Sequence, residues 1–273
     1  MTPGDDELEE IIGYLHSKGI KVMLRPMIEC WDGTQRGHLH MPEGQIFPDR
    51  PFHYRTDWFH NYTELTKHYL RIAQNTGCEA YGLDSELNQL VDCSENWLGV
   101  IDCARKRYTG HLTSSLINVP QFLNRLENKN FWFNALDSLG SSMYAPASKD
   151  GGGSVEEMAA YLQGAVERNR AFAQAYEKEF YFGECGCCAT ENAAKLPYFW
   201  KNGKRYDGDE QAKYMAAVIR AFSAEPWWGG MFWWKWDENN FRAEFVEDPA
   251  GDKGFTIDGK PAANVMKRWC AKA

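Results

Sequence analysis

Short apolar runs and helical periodicities take turns along this chain, and that alternation leaves few folds open. Leu8, Ile11, Ile12 and Leu15, closed by Gly19, predict a first helix over residues 5–18. A strand follows over residues 20–28, with Val22, Met23 and Leu24 at its centre and Pro26 at its C-terminal rim. The pattern then predicts helices over residues 58–76, 96–108, 120–128, 155–177, 209–223 and 261–272. Between them fall strands ending at Glu86 and Glu184 and strands over residues 111–118, 133–144 and 230–236. Ser154 and Glu157 form a capping box in front of the long helix at 155. Strands alternating with helices predict βα units on a parallel sheet. At 273 residues the chain fits one α/β barrel, which typically needs about 250. The expected fold is therefore an α/β (β/α)8 TIM barrel, as a single domain over residues 1–273. A complete barrel has eight strands and eight helices. This chain opens on a helix, so two strands and a helix are expected to be missing in front. It is either a piece of a longer barrel or one that closes in an unusual way.

Two of the strands deliver a carboxylate at their C-terminal end. Residues 79–88 run out of apolar side chains at Glu86, and 98 residues later Phe180, Tyr181, Phe182 and Gly183 lead into Glu184. Parallel strands joined by helices would send both carboxylates to one face of the barrel. Glycosidic-bond cleavage needs that pair, one acid to protonate the leaving oxygen and one carboxylate to attack the sugar. A long polar segment from residue 29 to about 57 is too long for a plain connection. Its Trp31 and Arg36, with Phe52, Tyr54, Trp58 and Phe59, point to a functional loop.

Composition narrows the partner. The excess of 38 acidic over 30 basic residues argues against nucleic acid, and no apolar run approaches the roughly 18 residues of a membrane span. Aromatic residues make up 14%, eleven of them tryptophan, which suits stacking on the apolar faces of sugars. The expected partner is an oligosaccharide or polysaccharide. The eight cysteines lack paired metal-ligand spacing, and the histidines show no i, i+4 pair with a third acid. No phosphate-cradling glycine loop or serine elbow appears, so no cofactor is expected. Free thiols suit a reducing compartment and make the cytoplasm the expected location, unless a signal precedes the polar start of the chain.

With both carboxylate strands placed, the chain resembles the mannanase-like glycoside hydrolases of clan A, specifically glycoside hydrolase family 113. The resemblance rests on the Gly-Ile-Lys-Val-Met-Leu-Arg-Pro strand at 19–26, Asp32-Gly33 with Arg36-Gly37, Trp58-Phe59 with Tyr62, and Gly82 with Glu86-Leu87. It continues through Asn118, Leu136-Asp137 with Gly140 and Tyr144, Gly183-Glu184-Cys185-Gly186, the tryptophan-rich strand at 232–236 and Gly259-Lys260-Pro261-Ala262. The resemblance implies a clan A barrel of which strands three to eight are present, and retaining cleavage of β-1,4-mannosidic bonds. It implies that Glu86 is the acid/base and Glu184 the nucleophile. The chain departs from that pattern at Ser85, where many clan A relatives carry Asn, and at Met27 and Gln35. Tyr144 either holds Glu184 by its phenol or simply packs. Asn118 and Arg36 are candidate hydroxyl ligands, and Asp84 either tunes Glu86 or forms a salt bridge. Trp234 and Trp236 are favoured over Trp233 as the indoles that meet sugar. A non-catalytic carbohydrate-binding barrel, or a glycosidase acting on another β-linked sugar, are the alternative functions.

Overall fold

A computed structural model describes residues 2–42, 53–128, 130–199, 205–236 and 248–271. Phe52, expected in the functional loop, lies outside the described residues. In chain order the elements are α1 (Asp5–Ser17), β1 (Met23–Leu24), α2 (Tyr54–Thr76), β2 (Ala80–Ser85), α3 (Ser94–Arg105), β3 (His111–Ile117) and β4 (Ser138–Ser142). They continue with α4 (Val155–Tyr161), α5 (Gln163–Tyr176), β5 (Glu179–Cys185), α6 (Gly208–Phe222), β6 (Trp228–Trp233) and α7 (Pro261–Cys270). Strand order follows the chain from β1 to β6, and the strands are parallel with helices between them, the succession of a partial (β/α) barrel.

The chain forms two compact units, residues 1–140 and 141–273, with β4 ending the first and opening the second. In the first unit, β1 pairs with β2 and β2 with β3, both in parallel. β1 is shorter than the strand expected over residues 20–28. Two causes show: the Glu79 carboxylate takes the Val22 N–H at 2.7 Å, and Pro26 has no N–H to extend a ladder. The core of this unit is aromatic. Trp97 stacks on Trp132 at 4.9 Å between centroids, with Phe59, Tyr62 and Phe133 edge-on around them. Both indoles are fully buried and donate to backbone carbonyls, Trp97 to Leu90 and Trp132 to Val91. Burial therefore leaves neither N–H unsatisfied. The segments expected as a helix over residues 120–128 and as the first half of a strand over 133–144 are 3-10 turns, at Val119–Glu127 and Trp132–Ala135. Each has a physical cause: Pro120 and a left-handed Asn118 start the first, and Trp132 and Phe133 are drawn into the core by the second.

In the second unit β5 pairs in parallel with β6. Phe172, Phe180, Phe182, Phe222 and Trp228 pack as one aromatic cluster. Ser154 caps α4 as expected, its hydroxyl accepting the Glu157 N–H while Glu157 takes the Ser154 N–H. The single helix expected over residues 155–177 is divided at Leu162, whose ψ of −7° tightens the turn into α5. On β6, Met231 and Trp233 pack toward α6 and α7 against Met215, Ile257 and Ala262. Alternation along the strand sends Phe232 to the other face. No described helix is long and apolar enough to cross a membrane.

Candidate active site

Each expected carboxylate stands at the end of its strand with its own set of partners. Glu86 follows β2 directly and has a φ of 60°, a left-handed conformation that non-glycine residues seldom adopt. Two backbone contacts hold it there. Its N–H donates to Ser115 O at 2.8 Å, and its carbonyl accepts from Asn88 N at 2.8 Å across an inverse γ-turn centred on Leu87 (φ −78°, ψ 52°). The Asn88 amide closes the arrangement, donating to Ile117 O at 2.8 Å and accepting Ile117 N–H at 2.9 Å. Asn88 was not among the expected residues. Nothing local marks it, because its partner lies 29 positions away on the rim of β3.

Arg36 was expected to bind a sugar hydroxyl. Its guanidinium reaches Glu86, with Nε 3.5 Å from Oε2, and pairs at its other end with Glu29. At 3.5 Å the contact to Glu86 is an ion pair rather than a hydrogen bond. Both side chains are largely buried, at 14% and 16% exposed. Gly37 lets the loop lie this close. A Cβ there would stand 3.0 Å from the Ile117 side chain and 3.4 Å from Glu86 O. Asn118 ends β3 in the left-handed region (φ 49°, ψ 56°) with an exposed side chain, so it turns the chain whatever its amide binds.

Asp84, one strand repeat before Glu86, is fully buried. It accepts from the Ser114 hydroxyl and from Ser115 N–H at 3.2 Å, and the Arg25 cation acts on it electrostatically. Arg25 lies across Gly82, where a Cβ would fall 2.5 Å from its Cγ. Burial outweighs these favourable contacts and pushes the Asp84 carboxyl up to about 6. Because Ser115 also accepts the Glu86 N–H, Asp84 and Glu86 are fastened to the same residue of β3. The structure thus gives Asp84 a hydrogen-bonding part as well as an ionic one.

In the second unit, Glu184 is only 4% exposed, near the end of β5. The Tyr144 phenol donates to its Oε2 at 3.0 Å, the contact that the succession of strands suggested. Tyr144 is placed just beyond β4 by Met143, whose N–H donates to Glu184 O at 2.7 Å, and by Tyr214 of α6, which donates to Ala145 O at 3.0 Å. Phe255 meets the Tyr144 ring edge-on at 6.4 Å. Glu210, buried at the start of α6, accepts from the backbone N–H groups of Gly152, Asn192 and Ala194, and so ties the loops after β4 and β5 together.

Trp234 follows β6, its N–H donating to Cys185 O at 2.8 Å. Its carbonyl would lie 2.1 Å from a Cβ on Gly186, so only glycine fits there. Lys235 Nζ sits 5.6 Å from the Trp234 ring centroid, and Trp236 is 66% exposed. Trp233, by contrast, is engaged with Tyr214 and Phe255 O. Among the described residues no group of three His, Cys, Asp or Glu side chains could hold a metal ion. All eight cysteines are thiols, and burial pushes Cys185, Cys187 and Cys188 upward in pKa.

The succession of strands and helices is that of a partial (β/α) barrel, and the comparisons define its class as a glycoside hydrolase. A family model described as Glycoside Hydrolase Family 113 matches residues 1–260, and the chain belongs to that family. Among solved structures, the family 113 β-mannanase of Alicyclobacillus acidocaldarius, in complex with ManMIm, is 28% identical with a TM-score of 0.82, covering 100% of this chain and 80% of its own. A family 113 β-1,4-mannanase is 29% identical with a TM-score of 0.79, covering 97% of this chain and 78% of its own. A β-glucuronidase from Ruminococcus gnavus shares the fold at 14% identity and a TM-score of 0.61, over 96% of this chain and 41% of its own. A comparison with curated proteins found no match.

Proposed function

We propose that the protein cleaves β-1,4-mannosidic bonds in mannan or manno-oligosaccharides with retention of configuration, Glu184 acting as nucleophile and Glu86 as acid/base. The observation that carries the nucleophile assignment is the Tyr144 phenol donating at 3.0 Å to a carboxylate that is nearly closed off from water. A charge-assisted hydrogen bond of this kind fixes where the carboxylate points. Membership of family 113 and similarity to two β-mannanases support the sugar.

In the first step Glu184 Oε attacks the anomeric carbon from the face opposite the aglycone. The glycosidic C–O bond breaks as Glu86 gives its proton to the departing oxygen. In the second step Glu86, now a carboxylate, takes a proton from water, whose oxygen attacks the same carbon and releases Glu184. Two inversions restore the β-configuration. Such a mechanism requires the two carboxyls about 5–5.5 Å apart, against roughly 6.5–9.5 Å for inversion.

Following anomeric signals by proton NMR during mannopentaose hydrolysis tests the reading. The β-anomer is expected to appear first. An α-anomer appearing first would replace retention by inversion, and turnover confined to another β-linked sugar would remove the mannan assignment.

Tyr144→Phe tests the contact on Glu184. Losing one charge-assisted hydrogen bond, worth about 1.5–3 kcal/mol, is expected to lower kcat by about 10- to 100-fold with KM little changed. Steady-state kinetics on mannopentaose checks it, and wild-type kcat in the variant would leave the phenol as a packing group.

A further inference from the structure

Trp31 is the most exposed large apolar residue described, at 104% relative exposure. An indole held wholly in water forgoes the stabilisation that burial gives an aromatic side chain, about 25 cal/mol for each Å² covered. Its backbone is part of a hydrogen-bonded turn. Gly33 N–H donates to Cys30 O at 3.0 Å, closing a turn around Trp31 and Asp32, and Gly33 takes a φ of 79°. Asp32 Oδ1 accepts Thr34 N–H at 2.9 Å. A few residues on, the same loop is anchored by Arg36, between Glu29 and Glu86, and by Gly37 packed against Ile117. The loop that brings a cation to the proposed acid/base therefore also presents a bare indole on a fixed turn.

Resting on the function proposed above, we propose that Trp31 is a stacking platform for a distant unit of a neutral β-linked hexose chain, extending the binding surface beyond the bond that is cut. An indole face matches the axial C–H face of a pyranose. Its acidic neighbours decide the class of ligand. Glu29 is 75% exposed and Asp32 is exposed as well. Carboxylates accept hydrogen bonds from sugar hydroxyls and repel uronates and phosphates. Because the turn is closed before ligand arrives, stacking costs little ordering entropy.

The test separates this platform from the catalytic reading by measuring binding without turnover. Calorimetry compares Glu184→Gln with the same variant carrying Trp31→Ala, using mannohexaose, mannobiose and tetramethylammonium chloride as probes. Loss of the indole is expected to weaken mannohexaose about tenfold, the size of one aromatic contact, and to leave mannobiose within twofold. Trp31→Phe in the same background should recover most of the affinity. Equal losses on both sugars, no loss on either, or tetramethylammonium binding that depends on Trp31 would each overturn the platform. Turnover of mannohexaose by the wild-type protein judges the catalytic reading separately. An inactive wild type would sink that reading while the binding data still decide the role of Trp31.

Discussion

Glu184→Ala is expected to lower kcat on manno-oligosaccharides by about 10⁴-fold or more, the scale on which enzymes lose turnover when a nucleophile is removed. Azide should restore part of the turnover, and the identity of the product carries the argument. With the carboxylate gone, azide enters from the face Glu184 occupied and displaces the aglycone once, giving the α-mannosyl azide. Glu86→Ala should behave differently on an aryl mannoside with a good leaving group. Such a substrate needs little protonation, so the glycosyl-enzyme still forms and accumulates. Azide then displaces Glu184 in a second inversion and yields the β-mannosyl azide. Full activity in either variant would end the assignment, and the same anomer from both would remove the division of roles between them. The two carboxyls differ in their local surroundings. Glu184 is 4% exposed and held by a phenol, whereas the Glu86 side chain is 16% exposed and pairs with a cation on a loop.

What the sequence disclosed follows from the range of the interactions involved. An apolar run that stops at a carboxylate is a local pattern, so Glu86 and Glu184 were visible as strand ends. The Ser154–Glu157 box is equally local, four residues that satisfy one another. Tyr144 was legible one step further, because parallel strands in chain order put the end of β4 beside the end of β5. Periodicity could not reach contacts between distant segments. The pairing of Arg36 with Glu29 and Glu86, the Asn88 clamp on Ile117, and the Glu210 knot between two loops all join residues whose spacing has no period. The same reason explains β1: its centre reads as a strand, but a side chain from residue 79 takes the N–H that would have continued it. Trp233 illustrates the intermediate case. Alternation showed that two sets of indoles part company, and only packing on Met215 and Ile257 shows which set the helices take.

Asp84→Asn is expected to change the pH dependence of stability by about 3 kcal/mol, and the sign follows from burial. The carboxyl is raised from 3.8 to about 6 in the folded protein, because desolvation outweighs the hydrogen bonds from Ser114 and Ser115 and the nearby Arg25. Below pH 4 both folded and unfolded chains carry the proton, and the group costs nothing. Between about pH 4 and 6 the unfolded chain releases its proton first, so stability falls as pH rises. Above pH 6 the full cost is present, two units at about 1.4 kcal/mol each. Asparagine keeps an acceptor for the Ser114 hydroxyl and the Ser115 N–H but cannot ionise. Relative to wild type, the variant should therefore gain about 3 kcal/mol on going from pH 4 to pH 7. Urea unfolding of both proteins across that range isolates the contribution of Asp84, since other titrating groups cancel in the difference. Parallel profiles would mean that Asp84 titrates as an ordinary carboxyl and that its buried charge is compensated. Because Ser115 also accepts the Glu86 N–H, turnover measured beside the unfolding curves has its own expected outcome. A kcat within about tenfold of wild type, well short of the loss expected for Glu86→Ala, would place Asp84 in the support of β3 rather than in the proton transfer.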